Sequence, residues 1–103
     1  MLHTVNKSPF DSQSLKTCLG LARSGSDILL IEDGVYGALV GTAHAAMLDQ
    51  ALKEVSIYAL GPDLKARGLP EDRLIRGIKV VGFDGFDGFV ELASANDKVQ
   101  SWL

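Results

Sequence analysis

The sequence predicts an α/β fold, a small open and mainly parallel sheet of four to five strands with helices on both faces. Two observations carry this. Ile28-Leu29-Leu30-Ile31 is a continuous apolar run of strand length, the pattern of a parallel strand covered on both sides. Around it, strand-length segments alternate with helical stretches long enough to be crossovers, which makes right-handed βαβ units the natural connection.

Leu2 to Val5 reads as the first strand, stopped by the turn chemistry of Asn6-Lys7-Ser8-Pro9. Asp11 or Ser12 can cap a helix running to about Arg23, with Gly25 as its left-handed stop. Leu15, Cys18, Leu19 and Ala22 follow i, i+3, i+4, i+7 spacing, so Cys18 falls on or beside the buried stripe. After the second strand, Asp33 caps a helical segment from Gly34 to about Val40, and Gly41 ends or bends it. A further helix over 43–53 turns Met47, Leu48, Ala51 and Leu52 to the core. Val55 to Leu60 is the third strand. Gly61-Pro62-Asp63 turns into a short helix over 64–67, closed by Gly68. Ile78 to Val81 is the fourth strand, 86–95 the last helix, and the tail over 99–103 adds a fifth strand if it pairs.

At 103 residues the chain reads as a single domain over 1–103, small enough to leave much surface exposed, yet 47% of its residues are hydrophobic. Part of that apolar surface is expected to face another chain. A net charge of −3 supplies no basic stripe for phosphate contacts, which argues against direct nucleic-acid binding. No stretch approaches the roughly 18 consecutive apolar residues of a membrane span. With one cysteine and no leader-like start, the composition points to the reducing cytoplasm.

Cys18 is the sole thiol, so it either packs as a small hydrophobe or does chemistry with a partner's sulfur. It lies mid-helix, away from the field that would lower its pKa. His3 in a strand and His44 near a helix start have no Cys, Asp or Glu at zinc-like spacing, and no Gly-x-Ser-x-Gly elbow follows any strand. Gly34, Gly37 and Gly41 follow a buried strand without phosphate-loop spacing, and Glu32 and Asp33 place carboxylates where a phosphate would sit. Those glycines read as close-packing positions. Lys65, Arg67, Arg73, Arg76 and Lys79 form a loose basic patch interrupted by Asp63, Glu71 and Asp72. Phe83, Phe86, Phe89 and Trp102 read as core or interface rather than a base-stacking platform.

Several blocks carry a resemblance that covers essentially the whole chain. They are the opening Leu2-His3-Thr4-Val5-Asn6-Lys7-Ser8-Pro9-Phe10, the helix cysteine Cys18, Glu32-Asp33-Gly34-Val35-Tyr36, Tyr58-Ala59-Leu60-Gly61-Pro62-Asp63-Leu64-Lys65-Ala66-Arg67-Gly68, and Val99-Gln100-Ser101-Trp102. Together they resemble the DsrH/TusB family. The resemblance implies a DsrE-like fold and a cytoplasmic heterohexamer with two copies each of three related subunits, which carries sulfane sulfur as a cysteine persulfide and needs no cofactor. In the sulfur-oxidation branch the partners are DsrE-like and DsrF-like subunits and a DsrC-like carrier. In the other branch, TusD-like and TusC-like subunits pass sulfur to a TusE-like carrier for 2-thiolation of the tRNA wobble uridine. In both, the principal persulfide cysteine belongs to the DsrE/TusD subunit. DsrH-like members carry a cysteine at the position of Cys18 and TusB-like members can lack it, which favours the sulfur-oxidation branch and makes Cys18 an auxiliary sulfur acceptor or docking thiol. The repeat Asp84-Gly85-Phe86, Asp87-Gly88-Phe89 departs from the family pattern, where one Gly-Phe-Val stands.

Overall fold

The computed structural model describes residues 1–84 and 88–103. Five strands, β1 (Leu2–Val5), β2 (Asp27–Leu30), β3 (Ser56–Leu60), β4 (Lys79–Val81) and β5 (Val99–Trp102), form one sheet in the order β4-β3-β2-β1-β5. Every pairing is parallel, and the tail pairs with β1 in the register Leu2 to Val99 through Val5 to Trp102. The helices are α1 (Ser14–Leu21), α2 (Ala45–Ala51), α3 (Gly61–Ala66) and α4 (Phe89–Ala95), with 3₁₀ segments at Glu32–Ala38 and Glu71–Arg73.

Strand alternation separates two cores. Val5, Ile28, Leu30, Ile57 and Ala59 face one side, where Leu15 and Cys18 of α1, Val35 and Ala38, Leu48 of α2 and Leu64 of α3 close over them. Leu2, Leu29, Tyr58, Leu60 and Val81 face the other side and meet Leu92, Phe89 and Ala93 of α4. Handedness explains this division. From β1 to β4 the chain steps steadily across the sheet, so its right-handed crossovers lie on one face. The return from β4 to β5 runs the opposite way, and the same handedness puts α4 on the other.

Three local expectations need correction. The first helix begins at Ser14 rather than at an Asp11 or Ser12 cap; Ser12 Oγ accepts from the Ser14 amide within the approach turn. It also ends earlier, with Ala22 extended. Gly25 is left-handed at φ +87°, but in a turn where the Ser26 amide donates to the Arg23 carbonyl. Asp33 does not cap a helix. The segment after β2 is 3₁₀, and Asp33 points to Arg67. Finally, Gly61-Pro62-Asp63 is the first turn of α3 itself, since Pro is tolerated where a helix has no amide to pair. The last helix starts at Phe89; the part of the 86–95 expectation over 86–87 lies outside the described residues.

Candidate functional site

Cys18 lies on the inward stripe of α1, fully buried in the larger core. Burial pushes its thiol up to about 12, because a thiolate there would lose its hydration. At neutral pH the side chain is therefore a protonated, apolar packing group without nucleophilic character. A groove of about 540 Å³ lies between α1 and α2, but α1 lines it with Lys16, Leu19 and Gly20 rather than with the thiol.

Open parallel sheets usually act at the carboxyl ends of their strands. Here two of the sequence blocks converge on that edge. The Glu32 amide donates to Asp63 Oδ2 at 2.6 Å, joining the loop after β2 to the first turn of α3. Arg67, one turn along α3, donates from Nε and Nη2 to Asp33 Oδ1, both at 2.9 Å, and from Nη1 to the Asp63 carbonyl at 3.1 Å. Glu32 sits at φ +50°, uncommon for a residue with a side chain. Gly34 is required beside it: a Cβ there would stand 2.1 Å from the Val5 carbonyl oxygen. Asn6 completes the edge, reaching Glu32 Oε2 at 3.4 Å, while its own Oδ1 is buried without a partner among the described residues.

This edge is acidic and largely closed on itself, and it holds no thiol. Among the described residues there is no group of three His, Cys, Asp or Glu side chains set to hold a metal. The basic patch is dispersed as well. Arg67 is engaged by carboxylates, and the Lys79 ammonium lies 6.0 Å over the Tyr58 ring.

The two histidines are placed apart. His44 meets Phe10 edge-on, with ring centroids 5.0 Å apart. His3, only 5% exposed, accepts a hydrogen bond at Nδ1 from Trp102 Nε1, 3.1 Å away. Desolvation, followed by the nearby amino-terminal charge, holds His3 below its ordinary pKa. Sequence reasoning missed the His3–Trp102 pair and the Asp63–Glu32 bond. The only signal for the first was alternation, which puts His3 on the face of Val5; the second joins two loops and has no local signature.

The fold recurs among known proteins. Among solved structures, the fold agrees with the ychN protein from E. coli (TM-score 0.75, 24% identity, 97% of each chain). It agrees also with a protein of unknown function from Methanobacterium thermoautotrophicum (TM-score 0.71, 15% identity, 97% of this chain and 96% of that one). The expected α/β fold, a parallel sheet with helices on both faces, is thus observed, with its fifth strand formed. Proteins called TusB from Serratia proteamaculans and Erwinia tasmaniensis are 39% and 38% identical, each over 99% of this chain and all of the relative. A family model described as DsrH like protein matches residues 7–99. On that match and those full-length identities, this chain belongs to the DsrH/TusB family.

Proposed function

We propose that this chain is the TusB-type subunit of a cytoplasmic sulfur-relay complex, assembled with TusC-like and TusD-like subunits in two copies each. Sulfane sulfur is carried as a persulfide on the TusD-like partner and handed to a TusE-like carrier for tRNA wobble-uridine 2-thiolation. The observation that carries this reading is identity along the whole chain to relatives called TusB. Persulfide transfer requires an attacking thiolate to reach the outer sulfur of its donor, with the inner thiolate leaving. The buried, protonated Cys18 supports a scaffolding part for this chain, with the reacting sulfurs on partners. No helix among the described residues is long and apolar enough to cross a membrane, consistent with that setting.

The second reading is the DsrEFH branch with a DsrC-like carrier. It is favoured by Cys18 itself, which occupies the position where DsrH-like members have cysteine and would act as auxiliary acceptor or docking thiol. Intact mass on the reconstituted complex after exposure to a persulfidated carrier separates the two roles of Cys18. The scaffold reading expects sulfur on a partner subunit, none on this chain, and wild-type transfer by Cys18→Ala. A sulfur adduct on this chain that vanishes in Cys18→Ala overturns it. Loss of tRNA 2-thiolation on deleting the gene, restored by Cys18→Ala, supports the TusBCD branch; unchanged 2-thiolation overturns that assignment.

A further inference from the structure

At the amino ends of β1 and β2, opposite the acidic edge, lies a cavity of about 560 Å³ lined in part by His3, Leu21, Arg23, Ser24, Ser26 and Lys98. We propose that it is a binding site for a small oxyanion, a phosphate or a carboxylate group.

The floor is what distinguishes this cavity from a patch of surface cations. His3 and Ser26 are 5% and 6% exposed, so both are more than nine-tenths buried. Because Trp102 Nε1–H donates to His3 Nδ1, that nitrogen must present a lone pair, and the neutral ring then carries its proton on Nε2. Nε2–H has no protein acceptor among the described residues, and neither does the Ser26 hydroxyl. Neither atom is sealed away from solvent, since Asn6 Oδ1 is the buried side-chain atom left without a partner among the described residues. Both residues line the cavity, and both donors keep access to solvent.

The walls supply charge of one sign. No carboxylate lines the cavity, and Arg23 and Lys98 make no ion pair among the described residues, where both salt bridges belong to Arg67. The nearby Glu54 is turned to the Ser24 hydroxyl. The carboxyl end of α1 opposes an anion, but with a dipole equivalent to about half a charge against two full cationic charges. A metal is disfavoured: coordination at Nε2 would shift the ring proton to Nδ1, where it would meet the Trp102 donor. An acceptor-only anion fits without rearrangement, taking Nε2–H and the serine hydroxyl below and a guanidinium or ammonium above.

The test is side-chain ¹⁵N NMR on the full chain, titrating inorganic phosphate and, separately, acetate against chloride at constant pH and ionic strength. A saturable shift of His3 Nε2–H, weakened at least tenfold by combined Arg23→Gln and Lys98→Gln, is the result expected. The lone-pair signature of His3 Nδ1 serves as the control that the variant retains the Trp102 bond. Saturation by phosphate alone assigns a phosphate source, and saturation by acetate alone a chain-terminal or side-chain carboxylate. No saturable shift with either anion overturns the proposal, as does a shift that the double variant leaves unchanged.

Discussion

The two ends of the parallel sheet treat their charges in opposite ways. At the carboxyl end, Asp63 accepts from the Glu32 amide and Arg67 ties Asp33 to the Asp63 backbone, so two loops from different strands close on each other. At the amino end, Arg23 and Lys98 flank a cavity that has no carboxylate among its described lining residues. Position in the fold explains part of the contrast. Loops leaving β2 and β3 are neighbours because those strands pair, whereas β5 arrives beside β1 from the far end of the chain and brings Lys98 to the amino edge, with Trp102 at the other end of the strand opposite Val5. The usual expectation that an open α/β sheet works at its carboxyl edge is therefore weak for this chain. Its carboxyl edge is a clasp, and its amino edge is the end with donors to offer.

The largest effect should come from breaking the clasp at its tightest point. Gly34→Ala places a Cβ 2.1 Å from the Val5 carbonyl oxygen, a backbone atom that cannot rotate away. Overpacking of this kind costs about 3 kcal/mol, and urea denaturation should show it as a lower midpoint with little change in slope. A midpoint equal to wild type would mean that the loop after β2 is not held against β1.

A paired substitution, one at each end, tests the contrast directly. Arg67→Ala removes contacts to both Asp33 and Asp63, but Asp33 is 59% exposed and its share is screened. The loss should be about 1 kcal/mol. Arg23→Ala should stay within about 0.5 kcal/mol, the range of surface positions without partners. Equal costs would erase the difference between the edges. A third substitution samples the core between them: Cys18→Ser puts a hydroxyl where the thiol is fully buried, and an unsatisfied one costs about 1–3 kcal/mol. Native Cys18 should also resist alkylation until denaturant is added.

How far the sequence revealed this follows from what each feature depends on. The apolar run at 28–31 and the stripe Leu15, Cys18, Leu19, Ala22 are local patterns, and both yielded elements on the right face. Gly34 and Gly37 were legible as close-packing positions, and they meet the Val5 carbonyl and the Leu15 side chain. Asp33 misled because a carboxylate before a glycine reads as a helix cap, while its partner Arg67 lies 34 residues on. Cys18 was legible as a residue of the buried stripe, but its raised pKa depends on how completely α2 and the sheet enclose it. The amino-edge cavity was invisible. It needs His3, Ser26 and Lys98 from three strand entrances, and its tautomer is set by Trp102, 99 residues from His3.

That tautomer gives the smallest effect and the most selective one. The folded ring holds its proton less readily than an unfolded ring with the ordinary value of 6.5. Between the lowered value and 6.5 the unfolded chain binds more protons, so stability rises with pH through that window. It is fully present above 6.5 and lost as pH falls towards the folded value. The amino-terminal charge acts in the same direction as burial, since it too disfavours an imidazolium. His3→Gln can still accept from Trp102 but does not titrate, so its stability curve should be flatter than wild type just below 6.5. Trp102→Phe removes the donor at Nδ1 and leaves that nitrogen open to a proton, which should shrink the same step without abolishing it. If both variants follow the wild-type curve, the ring is not held neutral by its burial. The amino edge would then be an ordinary charged surface, no different in kind from the rest of the protein's exterior.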